Sequence, residues 1–329
     1  MQSGRYLVTG GAGYVGSHLV AALCDRGADV VVYDNLRQGH RAAVLPGARL
    51  VVADLADAAM LDAVLADGPW EAVFHFASLS LVGESMADPF RYLAENTLNG
   101  LRLIEACVRH GVRRFVLSST ANLFGTLSEV PIPEDAPINP GSPYGESKYF
   151  LERALAWAER IFGLHSATLR YFNAAGADPA GRLGEDHRPE THLIPLAIDA
   201  ALGRREALTV FGADYPTKDG TCVRDYVHVS DLAEAHLLAL ARLDRGSAAY
   251  NLGNGKGYSV LEVIRAVEAV SGQKVPVQYG PRRAGDPPVL VASSARAMEE
   301  LDWHPEFADL HDIVRTAYAW RKAHPAGYG

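Results

Sequence analysis

The chain is poor in cysteine. Its 329 residues hold three, Cys24, Cys107 and Cys222, and no two are spaced as C-x-x-C. An odd, scattered set argues against a disulfide framework and a cysteine-based structural zinc, and for reduced thiols in a cytoplasmic setting. Basic runs are also missing, and the formal net charge is -8. That excludes most non-specific nucleic-acid binding, although a few arginines converging in one cleft still suit an anionic small molecule. No apolar run reaches the roughly 20 residues that span a bilayer, so no membrane partner is expected. The first apolar run opens at Arg5 and leaves no room ahead of it for a secretory leader. Internal repeats and low-complexity tracts are absent. What is present is 48% hydrophobic and 21% charged, the balance of a globular protein with ample core. The length predicts two domains, or one large domain with an appended lobe.

The first half alternates strand and helix. Apolar runs at Arg5–Thr9, Asp29–Tyr33, Arg49–Ala53, Ala72–His75, Arg114–Leu117 and Ala167–Arg170 read as strands. Val15–Arg26, Asp57–Ala66 and Asn99–His110 carry helical spacing between them. Near-continuous apolar strands separated by helices imply a parallel sheet covered on both faces, the doubly wound α/β fold. The pattern breaks after Asn173, and 174–190 reads as a loop. Residues 226–252 are expected to return to the first domain. Ser259–Ser271, Ser294–Leu301 and Ala308–Ala323 read as helices of a smaller C-terminal α/β lobe. The expected division is 1–173 for a dinucleotide and 174–329 for a substrate.

Gly10, Gly13 and Gly16 stand between the first strand and first helix. Glycine there permits a tight turn and close approach of backbone to a pyrophosphate, whose charge the helix N-terminus stabilises. Asp34 ends the second strand about 20 residues on, where a carboxylate accepts ribose hydroxyls. It would repel a 2′-phosphate, which favours NAD; nearby Arg37 leaves NADP open. Asp54 has two readings, holding the adenine edge or capping the next helix.

Tyr144 and Lys148 share one face of a helix that Ser142 can cap and Pro143 can start. A phenol with a pKa of about 10 is a poor base at neutral pH. A neighbouring ammonium and the positive nicotinamide both favour its phenolate. Val116-Leu-Ser118-Ser119-Thr120-Ala121 ends another strand at the carboxyl edge of the sheet, where ligands bind in open α/β folds. A hydroxyl there can bridge substrate and tyrosine; Thr120 is assigned, with Ser119 as the alternative.

These residues resemble the extended short-chain dehydrogenase/reductase family, most closely its UDP-glucose (UDP-galactose) 4-epimerases, over nearly the whole chain. His75-Phe-Ala and Val82-Gly-Glu-Ser85 are similar to that family's cofactor-side loop. Arg170-Tyr-Phe-Asn173-Ala-Ala-Gly176, His192-Leu-Ile-Pro195, the run from Tyr215 through Arg224-Asp-Tyr226-Val-His, and Arg282-Arg283-Ala-Gly-Asp286-Pro resemble its substrate segments. The resemblance implies NAD held by Gly10, Gly13, Gly16, Tyr14, Val15, Asp34, Asn35, Asp54, Leu55, Phe76, Ala77, Asn96, Lys148 and Tyr171, with Phe172 also near the nicotinamide. It implies a UDP-hexose held by Thr120, Tyr144, Asn173, His192, Leu193, Phe211, Arg224, Tyr226, Arg283, Asp286 and Leu290. Arg224 and Arg283 would clamp the diphosphate, Asp286 the uridine ribose, and Phe211 would lie beside the uracil; a guanidinium fork matches phosphate oxygens. No metal is implied. Two departures stand out. Ser80 replaces a lysine of some members, and His192 an asparagine of others. Leu290 falls where some members carry a pocket-narrowing tyrosine; the smaller leucine would admit an N-acetyl sugar.

The implied activity is isomerisation: oxidation of the sugar at C4 by NAD, rotation of the 4-keto sugar, and return of hydride to its other face, within galactose metabolism. The family's usual homodimer would use the helices around Asn99–His110 and Tyr144–Phe162. Nucleotide-sugar dehydratases and decarboxylases share the scaffold but need a further carboxylate. Here Thr120 is followed by Ala121-Asn122, with none until Glu129. A non-catalytic NAD-binding regulator is the reading from another class.

Overall fold

The computed structural model describes residues 4–125, 129–283 and 286–329. Chain order begins β1 (Arg5–Thr9), α1 (Tyr14–Asp25), β2 (Asp29–Asp34), β3 (Ala48–Val52), α2 (Ala58–Ala66) and β4 (Ala72–His75). It continues with α3 (Val82–Ala87), α4 (Pro89–Tyr92), α5 (Asn99–Arg109), β5 (Arg114–Thr120), α6 (Pro143–Phe162), β6 (His165–Tyr171) and β7 (Asn173–Ala175). Then come α7 (Leu193–Ala201), β8 (Leu208–Phe211), β9 (Val223–Arg224), β10 (Tyr226–His228), α8 (Val229–Arg242), β11 (Ala248–Leu252) and β12 (Tyr258–Ser259). The chain closes with α9 (Val260–Ser271), β13 (Val277–Gly280), β14 (Val289–Leu290), α10 (Ala295–Leu301) and α11 (Leu310–Ala323).

Seven strands form one parallel sheet in the order β11-β6-β5-β4-β1-β2-β3. The order reverses at β1, with β2 on one side and β4 on the other. That switch point opens a crevice at the carboxyl ends of the strands. Side-chain alternation along β1 explains why both faces are covered. Tyr6 and Val8 join a core with Leu19, Val20, Leu232 and Leu237 from α1 and α8. Leu7 joins a second core with Leu61, Leu103, Leu151 and Leu155 from α2, α5 and α6. Fully burying each such leucine is worth about 1.5–3 kcal/mol.

A third core unites Ile194 and Ile198 of α7, Val263 and Val267 of α9, and Ile313 and Val314 of α11. The small strands beside it pair as β10-β7, β12-β9-β14 and β13-β8. Three expectations need correction. The 174–190 stretch is not all loop, because Asn173–Ala175 pairs in parallel with Tyr226–His228. The 226–252 segment returns only in part: α8 and β11 join the large sheet's layers and Val227 of β10 joins the first core, whereas β10 itself pairs with β7 outside that sheet. Val82–Ala87, expected as loop, is a short helix, and α7 carried too little periodic signal in nine residues to be read ahead.

Candidate active site

The glycine turn is built for close approach. Gly10 has φ +74°, and a Cβ there would run into the Ala77 backbone. A Cβ on Gly16 would strike the Gly10 carbonyl. Gly13 caps α1 without any side-chain hydrogen bond, and the first turn of the helix holds no acidic residue. Its N-terminal N–H groups therefore face the crevice with their partial positive charge uncompensated, which fits a pyrophosphate. Tyr14 fastens the turn by donating to the Gly176 carbonyl at 2.7 Å. Val15 packs into the core, so only its backbone can meet a ligand.

Asp34 is buried, and burial pushes its carboxyl up, against hydrogen bonds from Leu36 N (2.8 Å) and Ala12 N (3.0 Å). Those bonds aim it at the adenosine side of the turn. Asp54 accepts from Ala56 N at 2.8 Å and Asn35 Nδ2 at 2.7 Å, and these bonds hold it below the usual carboxylate range. It does not cap α2; Asp57 does, through Met60 N at 3.0 Å. Arg37 is paired with Glu95 and stands 3.9 Å from Asp54, so carboxylates surround the cation that would favour a 2′-phosphate. Leu55 is buried under the same strand ends. Phe76 and Ala77 donate their N–H groups to the Thr9 carbonyl at 2.8 and 3.1 Å. Asn96 lies on a π-helical turn joining α4 to α5. Its side chain is spent on Leu79 N, Leu79 O and Ser147 Oγ, so it braces the 79–81 loop. Ser80 is exposed.

The catalytic candidates converge at the ends of β5 and α6. Ser142 Oγ accepts from Gly145 N at 3.1 Å and Pro143 takes the first helical position, so α6 starts one residue before Tyr144. Thr120 Oγ1 accepts from Asn122 N at 3.1 Å and Nδ2 at 3.3 Å, leaving its proton free on the side of the Tyr144 phenol, whose pKa Thr120 lowers. Ser119 turns the other way and donates to Glu152 Oε1 at 2.6 Å. The alternative between the two hydroxyls thus falls to Thr120. Lys148 is 1% exposed and donates to the Ser118 carbonyl at 2.9 Å.

Burial sets the electrostatics of the pair in the absence of a cofactor. Burial pushes the phenol up to about 12, with Thr120 pulling it down. Burial pushes Lys148 down to about 7, with Glu152 opposing. Desolvation therefore works against the ammonium–phenolate arrangement, and a further positive charge is needed to reach it. Tyr171 hydrogen-bonds Ser118 Oγ, and burial raises its phenol as well.

Glu152 was missed from the sequence. It lies one turn beyond Lys148 on the same face, a spacing that could have found it. Arg170 Nε reaches its Oε1 at 3.0 Å, and the side chains of this pair are 7% and 8% exposed. Removing one partner of such a buried pair strands the other charge.

Across the crevice, Arg224 pairs with Asp286 and donates to the Val223 carbonyl at 2.7 Å. Arg283 lies over the Phe211 ring, 4.3 Å from its centroid. The clamp residues and the expected uracil neighbour therefore occupy one corner. Asn173 Nδ2 donates to the Asp225 carbonyl at 2.8 Å. Leu290 packs with Phe172 beside Ala121 and Phe124, next to the catalytic threonine. Tyr226 is buried in the third core, which Leu193 flanks. His192 bonds Glu185 and Glu190, which supplies the partners its departure from asparagine left open.

The model of the NAD dependent epimerase/dehydratase family matches residues 6–253. The chain belongs to this family. A curated relative named UDP-glucose 4-epimerase from Lacticaseibacillus casei is 49% identical over 324 residues, covering 98% of each chain. A crystal structure of a UDP-glucose 4-epimerase superposes with a TM-score of 0.96 at 47% identity, covering 99% of both chains. Another, from Brucella ovis in complex with NAD, gives 0.93 at 45% identity, covering 96% of this chain and 98% of that one.

Proposed function

We propose that this chain is an isomerase that interconverts UDP-galactose and UDP-glucose by inverting C4 of the hexose, with NAD retained through the cycle. The observation that carries the reading is the meeting of Thr120, Tyr144 and Lys148 at the strand ends, between the glycine turn and the Arg224–Arg283 corner. NAD, when bound, supplies the acceptor and donor of hydride at C4. Gly10, Gly13, Gly16 and Asp34 would hold its pyrophosphate and adenosine ribose, and Lys148 its second ribose.

The protein's own residues handle the proton. Tyr144 takes it from the 4-hydroxyl, Thr120 hydrogen-bonds both oxygens, and Lys148 fixes the charge balance. Such acid–base work contributes about 10²–10⁴-fold. Arg224 and Arg283 anchor the diphosphate so that remote binding energy organises the reacting carbon. The hexose is gripped less, beside Leu290 and Phe172, which permits it to present either face. Ala121-Asn122 offers no carboxylate for elimination or decarboxylation, and this disfavours both relatives of the reaction. Residues 174–329, apart from α8, β11 and α10, serve as the UDP-sugar domain; α10 was expected in that lobe, but its Ala297 and Leu301 join the first core.

A homodimer is part of the reading. Phe150, Trp157 and Ile161 recur at helical spacing along α6 and are 46%, 56% and 61% exposed, an apolar stripe suited to a second copy. A cytoplasmic location follows from the three free thiols; no described helix is long and apolar enough to cross a membrane. The test is proton NMR of the purified protein with UDP-galactose and no added cofactor. Appearance of UDP-glucose is expected. No conversion, even with NAD supplied, would sink the proposal.

A further inference from the structure

Four side chains of the loop before α7 converge on one point. Glu185, His187, Glu190 and His192 each present a ligand-type atom, and these atoms lie within 4.8 Å of one another, the one such group among the described residues. His192 Nδ1 is 2.8 Å from Glu185 Oε1 and 2.9 Å from Glu190 Oε1. His187 Nδ1 is 3.0 Å from Glu185 Oε1 and 3.8 Å from Glu190 Oε2. Donors around a tetrahedral ion with bonds of about 2.0–2.2 Å stand roughly 3.3 Å apart. The observed separations bracket that edge.

A network of imidazole–carboxylate hydrogen bonds explains only part of the cluster. Glu190 Oε1 is well served, accepting from Thr191 N at 2.8 Å and His192 N at 2.9 Å. Glu190 Oε2 is buried with no hydrogen-bond partner. The Glu190 side chain is 9% exposed, and its orphan oxygen faces His187 across 3.8 Å, too far for a hydrogen bond. A buried carboxylate oxygen left so is costly unless a cation meets it. Glu185 is equally enclosed, at 7%. With both imidazoles deprotonated, as ligation requires, the two carboxylates leave a charge of -2 that a divalent ion cancels. The Arg321 guanidinium, which also donates to the Glu185 carbonyl at 3.4 Å, is already bound to Asp199.

We propose that Glu185, His187, Glu190 and His192 form a closed, four-coordinate site for a divalent transition metal, with zinc(II) the ion best matched to two imidazoles and two carboxylates. The scarcity of cysteine does not bear on such a site. Its place gives it a structural task. The His187 ring meets Tyr14 edge-on, with centroids 6.0 Å apart, and Tyr14 belongs to the phosphate turn. His192 leads directly into α7. An ion here would pin the loop between the dinucleotide turn and the third core.

The test uses untagged full-length protein treated with chelator and dialysed. Titration with cobalt(II) is expected to give one equivalent bound with the intense visible bands of tetrahedral coordination, displaced by zinc(II). Zinc(II) should also raise the melting temperature by several degrees. His187→Ala and Glu190→Gln, each checked for native circular dichroism, should weaken binding at least tenfold and abolish the zinc-dependent shift. Only weak octahedral cobalt bands would overturn the proposal. So would equal binding by a folded His187→Ala/Glu190→Gln double variant.

Discussion

The two sides of the crevice recognise their ligands by different means. The β1–α1 side works through backbone: glycines that allow approach and helix N–H groups that await an anion. The opposite side works through side chains that already engage each other, Arg224 with Asp286 and Arg283 with Phe211. A backbone site cannot swing away, so it suits a cofactor that stays. A side-chain site exchanges internal partners for a ligand at modest cost, which suits a substrate that must leave. Tyr144 and Thr120 lie between, held by a capped helix and a strand end.

The comparison breaks hardest at its centre. Tyr144→Phe should lower turnover by about 10³-fold while UDP affinity stays within about twofold, because the base is lost and the arginine corner is untouched. Coupled turnover assays and UDP titration calorimetry would reveal near-normal rates, the outcome that defeats the assignment. On the backbone side, Gly16→Ala places a methyl against the Gly10 carbonyl. Crowding of that kind costs about 1–3 kcal/mol, so NAD affinity should fall by roughly 10–100-fold. The absorbance ratio of the purified variant reads co-purified dinucleotide.

On the side-chain side, Arg224→Ala should raise the UDP dissociation constant about 10–100-fold, the worth of charged hydrogen bonds, yet leave NAD content unchanged. Loss of both ligands together would mean the two sides are not independent.

Lys148 supplies a pH test. Its folded pKa, about 7, lies below the ordinary lysine value of 10.5. Between these values the unfolded chain binds the proton and the folded chain does not, so this group makes stability rise with pH. From pH 7 to 9 the gain should be on the order of 2 kcal/mol. Lys148→Met should remove that slope in protein stripped of NAD, as read by denaturant melts; parallel slopes for both proteins would refute the shift. The smallest effect is expected at Leu290. Leucine there leaves room beside the sugar, so weak turnover of UDP-N-acetylglucosamine should appear and Leu290→Tyr should suppress it several-fold. Equal N-acetyl turnover by both proteins would remove Leu290 from specificity.

Much of the large domain was legible because its signals are local. Apolar strands, helical spacing and a glycine turn depend on neighbours within a few residues, and β1 and β4 fall where periodicity put them. The catalytic helix was legible for the same reason: Ser142, Pro143, Tyr144 and Lys148 sit in one turn and a half. Thr120 was left open against Ser119, since two adjacent hydroxyls differ only in which side of a strand they face. Glu152, on a different element, engages Ser119, which supports Thr120.

The sequence by itself determined the doubly wound sheet, the dinucleotide turn and the tyrosine–lysine pair, because short-range sterics and hydrogen bonding encode each of them. Tertiary structure alone decided the rest. It buried Tyr226, gave His192 two carboxylate partners and turned Arg37 onto Glu95. It also set desolvation against charge on both Tyr144 and Lys148, because desolvation depends on everything packed around a group, and no local stretch of chain records that.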